Sequence, residues 1–235
     1  MNGNFSSGLR DEYKNNLFET IVEKLLDCSK LMKNDFILAG LKIANNEIVI
    51  RNRLVEKYLD DDIVRAKLGI DILCLRFIPE KSEGYDDNTD SYIGRTDISV
   101  VTKNWLENDR KDYYTIECKR IDGYKDLNKR YINEGVVRFL NVGGSVKYAS
   151  YHKKNIIYGF VVKNINISNN IAQIELIQRE NLKNILKSNM ALLDSNNNEY
   201  SLYCCKYKVN DDILELRHAF YNFSEIVGEQ RKTEK

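Results

Sequence analysis

The sequence predicts an α/β domain in which a mixed β-sheet is flanked by helices. Three observations predict it. Apolar residues recur at helical spacing in the first sixty or so positions and then switch to strand-like runs near residue 70. A further helical stretch over 125–140 separates one group of strands from the next, the alternation that puts helices on the faces of a sheet. No linker, internal repeat or low-complexity tract divides the 235 residues, so a single domain is expected.

The elements follow in chain order. Residues 11–32 carry Leu17, Ile21, Leu25, Leu26 and Met32 on an otherwise charged segment, the pattern of an amphipathic helix. A second helix is expected from about Asn45 to Asp60, with Ile48, Leu54, Val55, Tyr58 and Leu59 on its apolar side. IDILCLRFIPE (70–80) reads as a strand closed by Pro79, and the polar, acidic KSEGYDDNTDS after it as a loop. Strands are expected at about 94–102 and 112–119, with the polar KNWLENDRK between them. The helix over 125–140 should end at NVGG, where glycine suits a C-terminus. NIIYGFVVKN reads as a buried strand, 171–189 as a helix, and 198–208 and 213–222 as strands; the terminal GEQRKTEK is expected to fray.

Composition narrows the function classes. Apolar residues make up 43% and charged residues 30%, the profile of an ordinary water-soluble domain with a sizeable core. The net charge of +1 gives no overall basic excess, so a polyanion would need a local patch. The longest apolar runs, such as IIYGFVV (156–162), are too short to span a bilayer, so no membrane role is expected. MNGNFSSGLRDEYK has no apolar signal region, and five scattered cysteines (28, 74, 118, 204, 205) form no CxxC pair, so reduced thiols in a cytoplasm are expected. The Asn-x-Ser sequons at Asn4, Asn166 and Asn222 are then incidental.

Two strands carry charges where a sheet wants Val and Ile. Asp97 sits in the apolar run DISVV, and Glu117 and Lys119 close YYTIECK. Positions i and i+2 of a strand share a face, so Glu117 and Lys119 project together while Cys118 points to the other side. If the two strands are neighbours, Asp97 comes opposite them. Two carboxylates with waters and a phosphate form the oxygen ligand set that Mg2+ prefers, and an ammonium beside them can orient a water. Read alone, Glu-x-Lys on a strand is more often a solvated ion pair, and the apolar runs that hold Asp97 and Glu117 are what favour the site.

Other candidates carry less. His152 and His218 are far apart with no GxSxG motif and read as packing or surface residues. Cys204 and Cys205 point to opposite faces without zinc spacing, and YLDDDIV and YDDNTD read as a helix end and a solvated loop. The best nucleic-acid candidate is CKRIDGYKDLNKRYIN, where Arg120, Lys125, Lys129 and Arg130 cluster with Tyr124 and Tyr131; YHKKN adds a second basic patch. A solubilising helix face explains the same charges.

GRTDISVV, twenty residues from Asp97 to Glu117, and then IECKR resemble the active-site pattern of the PD-(D/E)xK nucleases, the restriction-endonuclease-like superfamily. The resemblance spans about 44–163 and includes YINEGVVRF and the Tyr-Gly strand; Thr96 stands where the family name has proline. It implies a restriction-endonuclease-like core, with 1–43 as an N-terminal helical extension and 171–235 as a C-terminal α/β extension. It further implies that Asp97, Glu117 and the Cys118 carbonyl hold Mg2+, which Mn2+ can replace, and that Lys119 assists the attacking water. Glu47, ahead of Glu56, is the implied upstream glutamate. The helix after the ExK strand is a place where the family carries polar residues, and here Glu134 and Arg138 stand four apart, a spacing that also makes a plain ion pair. The implied activity is phosphodiester hydrolysis, DNA ahead of RNA, with Arg138 joining the nucleic-acid contacts and a partner subunit supplying recognition or activation in an anti-phage or anti-plasmid system. The rival expectation is a catalytically silent binding or assembly subunit of a multiprotein complex.

Overall fold

A computed structural model describes residues 3–70, 75–87, 90–102, 113–142, 146–196 and 198–228. The expected KNWLENDRK connection, half of the NVGG turn and all but the first residue of the GEQRKTEK tail lie outside the described residues.

Helix α1 (Gly3–Leu38) is longer at both ends than its apolar spacing predicts. Phe18, Ile21, Val22, Leu25, Cys28, Met32 and Phe36 are buried along it at helical intervals. Strand β1 (Ile43–Ala44) leads into α2 (Glu47–Leu54). Asn46 caps α2, its Oδ1 accepting from the Ile48 and Val49 amides at 2.9 and 3.3 Å, which sets Glu47 in the first turn. A π-helical turn over Val55–Leu59 follows. Asp61, expected in a helix end, instead caps a further short helix, α3 (Asp62–Lys67).

Strand β2 (Leu75–Pro79) is followed by β3 (Ser82–Asp86) and β4 (Ser91–Arg95), which pair antiparallel. The expected loop at 81–91 is thus a hairpin. Its strands show no apolar alternation because they are anchored by polar contacts: the buried Glu83 accepts from Tyr113 Oη and, at 3.0 Å, from the Ala149 amide. The expected strand at 94–102 also divides, with Thr96 and Asp97 at the corner between β4 and β5 (Ile98–Thr102). Strand β6 (Tyr113–Ile121) runs antiparallel to β5.

The expected helix over 125–140 is helical in three forms: α4 (Lys125–Arg130), a π turn over Tyr131–Gly135 and a 3-10 turn over Val136–Phe139. The changes in pitch rotate Arg138 away from Glu134, which pairs with Arg130 at 3.0 Å instead. Strand β7 (Lys154–Val161) runs parallel to β6. Helix α5 (Ile167–Asn181) ends earlier than expected and also begins earlier, the latter because Asn166, read only as a sequon, caps it at the Asn169 amide, 2.9 Å away. Strands β8 (Ala191–Asn196), β9 (Tyr200–Val209), β10 (Asp212–Asn222) and β11 (Val227–Gly228) complete the described chain, with β11 parallel to β1.

The large sheet has seven strands in the order β2-β5-β6-β7-β10-β9-β8, parallel at β6-β7 and β7-β10 and antiparallel elsewhere. It is a mixed sheet in an α/β fold, with a core on each face. One core joins α1 and α2 to Ile116, Cys118, Tyr158 and Phe160; the other joins the 131–140 segment and α5 to Ile121, Ile157, Val161 and Phe220. Adjacent residues of β6 and β7 alternate between these cores, as period-two strands require. Gly159 lies in register with both Lys119 and Phe220, and the Phe220 ring fills the space a side chain there would take: a Cβ would stand 2.5 Å from it.

Candidate active site

Where β5 begins and β6 runs past it, four chain segments converge. The Ile98–Ile116 register sets Asp97 level with Glu117 at the end of β5, and the Asp97 Oδ2 accepts the Cys118 amide at 2.8 Å. Glu117 and Lys119 share one face of β6, while Cys118 is buried in the opposite core. Glu47 reaches in from α2, its Oε2 accepting the Arg120 amide at 3.1 Å. Glu56, the other upstream glutamate, is exposed and elsewhere on the chain.

The centre of this convergence is the Lys119 ammonium. It lies 2.6 Å from Glu117 Oε1, 2.8 Å from the Cys118 carbonyl, 3.2 Å from Glu47 Oε1 and 3.9 Å from Asp97 Oδ2. Gly135 permits this, because a Cβ at that position would stand 3.3 Å from the Lys119 Cγ. Glu117 is 0% exposed and Lys119 5%, so the pair is no solvated surface contact. A buried ion pair of this kind earns little stability after desolvation, which makes it an expensive way to hold two strands together.

Two further side chains, which sequence reasoning did not single out, hold the carboxylates. Tyr148 Oη is 2.9 Å from Glu117 Oε2 and donates to the Arg95 carbonyl at 2.6 Å. Arg138 Nη1 bonds the same phenol oxygen, and its Nε is 3.4 Å from Glu117 Oε1. Arg51, one helical turn after Glu47, donates to Asp97 Oδ1 at 2.7 Å and to Glu80 Oε1 at 2.5 Å. The signal for Arg51 was its spacing from Glu47, since i and i+4 share a helix face. Tyr148 carries no comparable signal, because a lone tyrosine in a loop is an ordinary residue.

Electrostatics follow from the crowding. Burial pushes the Glu117 carboxyl up, and the Asp97 charge adds to this; Lys119 and Arg138 pull the other way, leaving it at about 8. Burial alone would lower Lys119, but Glu117, Glu47 and Asp97 outweigh it and raise the ammonium's pKa. Both directions agree that this cluster retains protons. Above it opens a cleft of about 340 Å3 lined by Glu47, Arg51, Asp97, Lys119, Arg138 and Tyr148, with Glu80, Arg95 and Lys147 among its other walls.

No protein-family model, curated protein or solved structure matches this chain. The site is therefore read from its own chemistry.

Among the described residues no group of three His, Cys, Asp or Glu side chains stands ready to hold a metal ion. The reason is visible: the ammonium occupies the place on which the oxygens converge, and the two Asp97 oxygens are bonded to Arg51 and to the Cys118 amide. The donors nonetheless suit a hard divalent cation, being carboxylates and a carbonyl with no nitrogen or sulfur ligand, and Lys119 Nζ marks the point where a cation is favoured.

The nucleic-acid candidates separate. Arg138 lines the cleft. Arg120 is half-buried, its guanidinium donating to the Asn45 carbonyl and Oδ1 at 2.7 and 2.9 Å. Lys125, Lys129 and Arg130 are exposed on α4, but none of them lines the cleft. Tyr131 is not available for contact: it is 0% exposed, stacked on Phe220 and 2.9 Å from His218 Nδ1. Its apolar ring was drawn into the core by the turn at 131–135, where the basic residues beside it stay outside. No described helix is long and apolar enough to cross a membrane.

Proposed function

We propose that this chain is a Mg2+-dependent nuclease of the PD-(D/E)xK type that hydrolyses phosphodiester bonds, with DNA as substrate ahead of RNA. The observation that carries the reading is the convergence of Glu117, Glu47, Asp97 and the Cys118 carbonyl on Lys119 at the floor of an open cleft. Three converging carboxylates, Glu117 fully buried and Asp97 and Glu47 partly so, cost stability, and residues that break local rules at such cost are expected where chemistry is done.

In this reading Asp97, Glu117 and the Cys118 carbonyl would hold Mg2+ or Mn2+, with Glu47 as a supporting ligand. The bound cation would supply charge to the phosphate and the leaving oxygen and lower the pKa of a water. Lys119 stays protonated at neutral pH, because its acidic neighbours favour the ammonium. Its part is to orient the attacking water and to balance charge on the phosphate, not to take a proton from it. Arg138, with a third of its side chain exposed, is placed to meet a phosphate at the cleft wall. The exposed cations of α4 extend the contact beyond the cleft, and a partner subunit would supply recognition or activation in an anti-phage or anti-plasmid system.

The test is cleavage of plasmid, single-stranded DNA and RNA with Mg2+, Mn2+ or EDTA, in wild type and Asp97→Ala. Metal-dependent cleavage lost in the variant supports the reading. Equal inertness of both, alone and with co-purifying proteins, removes it.

One observation favours a second reading, a silent binding or assembly subunit. Both oxygens of Asp97 and both of Glu117 already have protein partners. A cluster so fully satisfied can persist as a structural tie, and the same cleavage experiment separates the two.

A further inference from the structure

Arg51 is the most buried cation at the cleft, with 4% of its surface exposed against 5% for Lys119, and no step of the proposed chemistry uses it. Its guanidinium makes three separate contacts. Nη1 holds Asp97 Oδ1 at 2.7 Å, Nη2 holds Glu80 Oε1 at 2.5 Å, and Nε and Nη2 hold Asn52 Oδ1 at 3.1 and 2.9 Å. Glu80 is itself fixed twice more, by Arg95 at 3.1 Å and by its own amide, which donates to the Asp97 carbonyl at 3.0 Å. Its backbone sits in the left-handed region at φ 54°, an unfavourable conformation for glutamate that persists only where surroundings enforce it.

These contacts form a clamp around one corner of chain. Asp97 lies between two strands and not within one, so the sheet ladder does not fix its side chain. What fixes it is Arg51 on one oxygen and the Cys118 amide on the other. Because Arg51 and Glu47 sit one turn apart on α2, a single helix face sets two of the three carboxylates around Lys119. Lysine cannot reproduce this: it places a point charge where the planar guanidinium bridges two acids in fixed directions.

We infer that Arg51 is a positioning residue, which acts through Asp97 by holding its carboxylate in the direction that metal binding and phosphodiester hydrolysis require. The inference rests on the nuclease reading above and adds to it the residue that makes Asp97 competent. A purely charge-balancing Arg51 behaves differently, since lysine would replace it.

The experiment compares wild type, Arg51→Lys and Arg51→Met in plasmid cleavage and in Mn2+ titration calorimetry. Positioning requires both variants to lose about 100-fold in kcat with KM for DNA nearly unchanged. Both should also bind Mn2+ roughly tenfold more weakly, as loss of an outer-shell partner does. If Arg51→Lys stays within about twofold of an active wild type in kcat and Mn2+ affinity, the inference falls and the nuclease reading stands. If wild type neither cleaves any substrate nor binds Mn2+, the nuclease reading falls and takes the inference with it. Should the Arg51 variants fail to fold, Glu80→Gln decides. Its side chain is 36% exposed, and weaker Mn2+ binding there supports the clamp while unchanged binding overturns it.

Discussion

Lys119 Nζ and Glu117 Oε1 lie 2.6 Å apart, from side chains two residues apart on one face of β6, with the glutamate fully buried. Two consequences follow. The carboxylate is harder to ionise than an ordinary glutamate, and the ammonium is harder to discharge than an ordinary lysine. Any cation that enters among these oxygens competes with a proton and with an ammonium at once.

The pH dependence of cation binding is the first prediction. Glu117 titrates near 4.5 in an unfolded chain and at about 8 when folded. Between these values the folded state holds a proton that the unfolded state lacks, so stability falls as pH rises through the window. Cation binding must expel that proton, so the Mg2+ or Mn2+ half-saturation concentration should fall as pH rises from 6 toward about 8 and then level off. Glu117→Gln should abolish cleavage and flatten the stability slope over the same window. Calorimetric titrations at several pH values check this, and a pH-independent affinity would remove the argument.

How much of this site was legible follows from where each residue stands in the chain. Asp97, Glu117 and Lys119 could be read because each interrupts an apolar run, and strand periodicity then puts the last two on one face. Glu47 could be read only through a resemblance, since a glutamate near a helix start is ordinary. Arg51 shares a helix face with Glu47, but its reach to Asp97 across 46 positions of chain, like that of Tyr148 to Glu117 across 31, comes through folding alone. The β3–β4 hairpin escaped because its pairing rests on polar anchors. The π and 3-10 turns after α4 escaped because helical periodicity tolerates small changes of pitch, yet they are what turns Arg138 toward Glu117 and Tyr131 into the core.

His218 gives a second pH signature, independent of the cleft. It is fully buried, with Tyr131 Oη 2.9 Å from Nδ1 and Tyr207 Oη 3.3 Å from Nε2. Burial lowers its pKa from 6.5 to about 3. An unfolded chain therefore takes up a proton below pH 6.5 that the folded chain refuses, and stability is lost as pH falls from 6.5 toward 3. The slope approaches about 1.4 kcal/mol per pH unit from this residue alone. Denaturant titrations at pH 7, 6 and 5 should show a shallower decline in His218→Gln than in wild type; equal declines would assign the acid sensitivity to other groups.

The third prediction concerns Gly159. A Cβ there would meet Phe220 Cδ1 at 2.5 Å and Cε1 at 2.9 Å in a strand pair that carries Lys119 on its other side. Gly159→Ala should cost roughly 1–3 kcal/mol through overpacking. Adding Phe220→Leu, which withdraws the ring, should recover part of the loss in a double-mutant cycle. Additive effects of the two substitutions would show that the ring is not what the alanine meets.

The last prediction joins stability to the proposed cation. Lys119→Met removes the one ammonium at the centre of Glu117, Glu47 and Asp97, leaving three carboxylates to repel one another in a largely dry site. At pH 8 and without divalent cations, the variant should be less stable than wild type by about 3 kcal/mol, the cost of breaking a buried pair from one side. The deficit should grow as pH rises above about 8 and stay nearly flat between pH 5 and 7, where Glu117 keeps its proton in both proteins. Saturating Mg2+ should restore stability, by about 2.7 kcal/mol at a hundred times its dissociation constant. In wild type the same Mg2+ should do less, because the ammonium already satisfies those oxygens and must yield them. Thermal unfolding of both proteins with Mg2+ and with EDTA reads all of these terms. A variant whose midpoint ignores Mg2+ would mean that the oxygens around Lys119 are a structural tie and hold no cation.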